Sequence, residues 1–128
     1  MIRYPALIDG TDGAYGVVFP DIPGVGAMGD TVDEALVNAE AALRDYAVET
    51  ERDGEELATP SPFQSIETPT GNQLVSIPLI RPSGKSVRAG LTLEEDVAEF
   101  IDSEARRRGM TRKTYITWVV RRIAAMGG

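Results

Sequence analysis

The sequence predicts an α+β protein in two parts: an antiparallel sheet carrying one main helix, then a β-α-α module that dimerises. Three observations lead there. Short runs of alternating apolar residues flank one long stretch of three- and four-residue spacing. A second strand-helix-helix pattern follows the break Arg81-Pro-Ser-Gly-Lys85. Charge reverses across that break: residues 1–82 hold 4 Lys+Arg and 14 Asp+Glu, net −10, whereas residues 83–128 hold 9 and 6, net +3. The predicted domains are 1–81 and 86–128, joined by a linker at 82–85.

Met1–Asp9 is the first strand, with Ile2, Tyr4, Ala6 and Ile8 alternating against Arg3, Pro5 and Asp9. Pro5 has no N–H to donate, which places the strand at an edge or leaves it paired on one side at that point. Asp9–Gly13 is a turn cluster and Ala14–Phe19 the returning strand of a hairpin. The connection FPDIPGVGAMGD (Phe19–Asp30) crowds two prolines, three glycines and two aspartates together, with Val25–Met28 as a short third strand.

A helix opens at Asp30–Glu34, capped by Asp30 or Thr31, and Thr31-Val-Asp-Glu34 has the spacing of a capping box. Val32, Ala35, Leu36, Ala39, Leu43, Tyr46 and Ala47 form its apolar stripe, and Gly54 stops it after Arg52. Pro60, Pro62, Pro69 and Gly71 make Glu55–Asn72 an irregular crossover into a last strand, Leu74–Ile80.

Beyond the linker, Val87, Ala89, Leu91 and Leu93 alternate with Arg88, Gly90 and Thr92 along Ser86–Leu93. A helix over 94–108 carries Val97, Phe100, Ile101 and Ala105 on one face; Gly109 ends it, and Thr111 caps a second helix, from Arg112 to about Ala125, with Tyr115, Ile116, Val119, Val120 and Ile123 on its apolar face. This stretch is too short to bury a core alone. The expected dimer core is Val87, Ala89, Leu91, Leu93, Val97, Phe100, Ile101, Ile116, Val119, Val120 and Ile123, closed by a second chain about a two-fold axis. The Arg106–Arg108 run and Arg121–Arg122 read as solvated helix ends, where cations are favourable without a ligand.

Composition narrows the chemistry. With no cysteine there is no disulfide or thiolate chemistry, which fits a reducing, cytoplasmic setting. With no histidine the commonest general base and metal ligand are missing. No apolar run approaches the ~20 residues of a membrane span, and the N-terminus lacks the apolar core of a secretory signal. No metal or other cofactor is expected.

The run VRAGLTLEEDVAEFIDSEARRRGMTRKTYITWVVRRIA resembles ribbon-helix-helix DNA-binding domains. The resemblance implies that two chains pair strands into a ribbon that enters the major groove of operator DNA. Mapped onto this chain, Arg88, Gly90 and Thr92 face the bases. Arg88 suits a bidentate bond to guanine and Thr92 an adjacent base or methyl. Gly90 departs from the family's polar central residue and offers only backbone. The start of the second helix, Met110 with Thr111, Arg112 and Lys113, resembles the segment that presents amides and positive charge to phosphate.

The body resembles the HicB antitoxin family over most of residues 2–80. The carriers are YPALI, AYGVVFPDIPGVGAMGDTVDEALVNAEAAL and DGEELATPSP. Val25 departs from the Cys that many relatives have after the Gly. The resemblance implies a truncated ribonuclease-H-like fold that binds and neutralises a small RNA-cleaving toxin, HicA, while the C-terminal module represses the operon. The acidic body suits a basic toxin. Asp21, Pro23, Gly24 and Asp30 are the toxin-binding candidates, as rim of the docking face. Dimers that associate further, into tetramers or beyond, gain operator affinity through effective concentration.

Two rival readings of the sequence stay open. Asp9, Asp21 and Asp30 could serve a Mg²⁺-dependent nuclease, although turn and cap roles account for each carboxylate locally. The chain could also be an orphan DNA-binding regulator without a toxin.

Overall fold

The computed structural model describes residues 1–81 and 87–126. The predicted linker at 82–85, Ser86 of the predicted strand, and the last two residues lie outside the described residues. The chain divides into two compact units, one built on Met1–Arg81 and the other lying within Pro82–Ile123.

The first unit is a four-stranded antiparallel sheet with one helix on one face. Its elements are β1 (Arg3–Thr11), β2 (Ala14–Val18), β3 (Gly26–Gly29), helix α1 (Val32–Arg52), a 3-10 turn at Phe63–Ser65, and β4 (Gln73–Pro78). The strand order is β3-β2-β1-β4, so β1 lies inside the sheet. Pro5 is tolerated because it pairs with Ser76 of β4, whereas the β2 pairing begins only at Leu7, opposite Val18. The hairpin turn is tighter than the expected Asp9–Gly13 cluster. Thr11 pairs with Ala14, so only Asp12 and Gly13 are unpaired, and Asp9 stands in the strand opposite Gly16. Gly13 takes φ +87° in this turn, while Asp12 stays out of the left-handed region, so the loop is not the type I′ turn that Asp-Gly often forms.

Tyr4, Ala6, Ile8, Val17 and Ile77 point from the sheet onto Ala35, Leu36, Ala39, Leu43 and Ala47 of α1. Burying a Leu such as Leu43 stabilises the fold by about 1.5–3 kcal/mol. Alanine at three of those helix positions lets α1 lie close, and Gly29 completes the approach: a Cβ there would fall 2.4 Å from the Ala35 amide nitrogen. Thr31 is the cap, its Oγ1 accepting from Glu34 N at 3.1 Å. The return bond differs from the expected box, because Glu34 Oε1 accepts from Asp30 N, one residue earlier, at 3.4 Å.

In the second unit, α2 (Glu95–Arg107) and α3 (Arg112–Ala125) flank a tight turn. Gly109 has φ +68°, its amide donates to Arg106 O at 3.1 Å, and Met110 N donates to Ala105 O at 2.8 Å. These two bonds close the end of α2 as a Schellman motif.

The predicted strand over 86–93 is not formed within one chain: Val87–Glu94 carries no sheet pairing. A lone strand has no partner for its backbone groups, and its apolar residues stay bare. Val87 is 91% exposed, Leu91 67% and Phe100 61%, with Val97, Val120 and Ile123 also exposed. Ala105 and Tyr115 are buried, while Leu93, Ile101, Ile116 and Val119 are half-buried.

Candidate functional site

The second unit gathers its cations beside its bare apolar residues. Val87, Ala89, Leu91, Leu93 and Ile116 line an open groove of about 690 Å³, and so do Arg88, Arg112 and Lys113. Strand alternation predicts that Arg88 parts from the apolar set; in the single chain all share one groove. Gly90 and Thr92 are exposed and do not line it.

Of the predicted phosphate-binding trio, the three residues have different duties. Thr111 Oγ1 accepts from Thr114 N at 3.1 Å and donates to Thr114 Oγ1 at 2.9 Å, so it caps α3. Arg112 is already engaged: its Nε and Nη2 donate to Asp102 Oδ1 and Oδ2 at 2.8 and 2.7 Å. That fork holds the Asp102 carboxyl below the usual aspartate range and raises the Arg112 guanidinium further. Lys113 makes no ion pair among the described residues. Of the first amides of α3, that of Thr114 is taken by the Thr111 cap, while those of Arg112 and Lys113 have no intrahelical acceptor.

The arginines expected as solvated helix ends are more organised. Arg108 and Arg122 both lie over the Trp118 ring, at 4.7 and 5.0 Å from its centroid, and Tyr115 packs on the same indole at 6.0 Å. Arg107 pairs with Glu104 at 2.7 Å. The sequence offered a signal in the four-residue spacing of Trp118 and Arg122.

In the first unit, the Phe19–Asp30 connection is two successive proline-led turns. Ile22 N donates to Phe19 O at 3.0 Å and Val25 N to Ile22 O at 3.2 Å. The second has Pro23 leading and Gly24 at φ +87°, the pattern of a type II turn. Phe19 and Ile22 go into the core, while Pro23 and Gly24 stay exposed.

Asp21 does not present a free carboxylate. Its Oδ2 accepts from Ser61 N at 2.8 Å and its Oδ1 from Ser61 Oγ at 2.6 Å, pinning the crossover. A second clasp lies at Ala58, whose N–H donates to Tyr46 Oη at 2.9 Å and whose carbonyl accepts from Tyr4 Oη. Burial, with Tyr46 and Asp21 nearby, pushes the Tyr4 phenol up. Asp30 is exposed, its carbonyl accepting from Gly13 N at 2.9 Å. Gly24 also borders a shallow groove of about 370 Å³, shared with Asp45, Tyr46, Glu49 and Asp53.

The nuclease constellation does not assemble. Among the described residues no three acidic side chains converge as metal ligands; Asp9 lies in β1, Asp21 clasps Ser61, and Asp30 stands at the start of α1. Among the described residues no helix is long and apolar enough to cross a membrane.

Known proteins place this arrangement. A family model described as "HicB_like antitoxin of bacterial toxin-antitoxin system" matches residues 4–120. An uncharacterised 14.9 kDa protein of the rep-hol intergenic region of Haemophilus phage HP1 is 31% identical over 104 residues, 77% of this chain and 78% of its own. The crystal structure of the Burkholderia pseudomallei antitoxin HicB superposes with TM-score 0.54 at 28% identity, over 94% of this chain and 97% of that one. A chain of the HicA3 and HicB3 toxin-antitoxin complex gives TM-score 0.52 at 26% identity, over 60% of this chain and 96% of its own.

Proposed function

The chain belongs to the HicB-like antitoxins of bacterial toxin-antitoxin systems, and from that membership we propose that it neutralises a HicA-like RNA-cleaving toxin by covering it and represses its own operon at operator DNA. The observation that carries this reading is the span of the family match, which runs from residue 4 to residue 120 and so takes in both units.

The first unit, a truncated ribonuclease-H-like domain in this reading, binds the toxin. Its net charge of −10 favours encounter with a protein built to hold RNA phosphates. Pro23, Gly24 and Asp30 are exposed and belong to the rim of that encounter; Asp21 serves it indirectly, by fixing the crossover. Neutralisation is occlusion and consumes no cofactor.

The second unit acts as a ribbon-helix-helix module. Pairing of two chains gives Val87–Leu93 the neighbouring strand it lacks and covers Val87, Leu91, Val97, Phe100, Val120 and Ile123. The paired ribbon then turns Arg88 and Thr92 towards base edges, with Gly90 contributing backbone alone. Lys113 and the first amides of α3 meet phosphate, while Arg112 braces α2 against α3 through Asp102. Association of dimers into tetramers raises operator affinity further. The protein works in the cytoplasm, where both partners are.

Co-expression with the HicA-type product of the neighbouring reading frame tests the first half. A stable complex that abolishes RNA cleavage is expected, and no complex overturns the antitoxin reading. A mobility-shift titration on the promoter fragment of the same operon tests the second half.

A further inference from the structure

The sheet face opposite α1 carries an apolar row. Leu74 stands opposite Leu7, Leu7 opposite Val18, and Val18 opposite Gly26. In the adjoining row Asp9 stands opposite Gly16, and Gly16 opposite Met28. Residues directly opposed across strands share a face. On it Met28 is 72% exposed and Val18 54%.

Isolated apolar side chains at a surface need no explanation. Pro5 and Pro78 of the same face are buried, but towards β2 and β3 it is open, and there two exposed apolar side chains on neighbouring strands, continuous with half-buried Leu7 and Leu74, form a patch that marks an interaction site. Gly16 cuts a notch into it: a Cβ there would meet only Asp9 Oδ1, at 3.6 Å. A carboxylate therefore leans over a floor without a side chain, beside an exposed thioether. Asp12 and Asp30 are exposed at the same end of the sheet, tied together by the Gly13–Asp30 backbone bond.

The β3 edge is less suited to strand addition, because Asn38 Nδ2 already donates to the Met28 carbonyl at 2.8 Å. The face itself is what a partner can use.

We propose that the toxin docks on this face, with Val18 and Met28 as its apolar centre and a Lys or Arg of the toxin seated in the Gly16 notch against Asp9. The inference rests on the antitoxin reading and adds the surface. Charge selects the occupant: the unit carries net −10, so a second copy of the same unit is repelled and a basic, RNA-gripping protein attracted. The long stem of a Lys or Arg covers Met28 while its head meets the carboxylate.

Met28→Lys and Gly16→Val, made in the full chain, test it against the co-expressed HicA-type toxin by titration calorimetry. Gly16 has room for a Cβ and strands accept Val, so the second variant keeps the fold without adding a charge. Each is expected to weaken toxin binding at least about tenfold, with operator binding and circular dichroism unchanged. Wild-type toxin affinity in both folded variants overturns the docking face. So does a change of oligomeric state without loss of toxin affinity, which would make the face a contact between copies. Failure of the wild-type chain to bind the toxin is read from that titration alone and overturns the antitoxin reading with it.

Discussion

Arg112 grips Asp102 with both ends of its guanidinium, at 2.8 and 2.7 Å, and so ties the start of α3 to α2 ten residues earlier. The hydrogen bonds lower the Asp102 carboxyl below its ordinary value. A depressed aspartate contributes stability above its unfolded pKa and loses it as pH falls through the folded one. Asp102→Asn is therefore expected to melt below wild type from neutral pH down to about pH 4. Below that the difference closes as wild-type Asp102 protonates. Thermal melts across pH 2–7 check this; equal melting temperatures at neutral pH would remove the fork from the stabilising contacts.

Asp21 and Ser61 form a clasp between the first proline-led turn and the crossover. Asp21→Ala leaves the Ser61 N–H and hydroxyl without that acceptor and should cost about 1–3 kcal/mol. Urea unfolding measures it. Toxin affinity of the folded fraction should stay within about twofold of wild type, since the carboxylate faces inward to the crossover. A large affinity loss with unchanged stability would return Asp21 to the toxin contact.

Tyr4 gives the first unit an alkaline limit. Its phenol is raised by burial, so its contribution is complete below the ordinary tyrosine value of about 10 and is lost as pH rises through the folded value. Tyr4→Phe keeps the packing, forfeits the bond to the Ala58 carbonyl, and should flatten the alkaline fall in stability. A parallel fall in both proteins would assign it to other groups.

Arg88 and Lys113 should separate by kind of DNA contact. Arg88→Ala is expected to cost about 1–3 kcal/mol on the operator and to relax base preference. Lys113→Ala should weaken all sequences alike and reduce the salt slope by about one. Mobility shifts at several salt concentrations distinguish the two, and unchanged operator affinity would take Arg88 out of the readout.

Phe100 is the largest bare side chain of α2. Phe100→Glu should leave the first unit folded and able to hold toxin, while shifting the chain to monomer in light scattering and abolishing operator binding. A dimer that survives would move the self-contact elsewhere.

Local chemistry was readable in advance. The stripe from Ala35 to Ala47, the Thr31 cap, and the left-handed Gly109 each depend on neighbours within a turn or two, so spacing reveals them. The third strand and both C-terminal helices were legible for the same reason. Contacts between distant positions were not. Ser61 is forty residues from Asp21, and nothing periodic links them. Pro5 pointed to one-sided pairing, which holds, but the inner place of β1 depends on β4 arriving from far along the chain. The fork between Arg112 and Asp102 was hidden because a helix start rich in cations reads equally as phosphate site and as brace. Gly29 stands among the loop glycines in the sequence, and only the close approach of α1, which no local spacing encodes, sets it apart.

The unpaired segment Val87–Leu93 also has a consequence for dosage. On the proposed pairing, two chains must meet before a ribbon exists, so ribbon formation climbs as the square of free chain concentration, whereas capture of one toxin by one first unit climbs linearly. A cell short of this protein would thus silence its toxin before it silences its promoter, and transcription would shut off only once a surplus had accumulated.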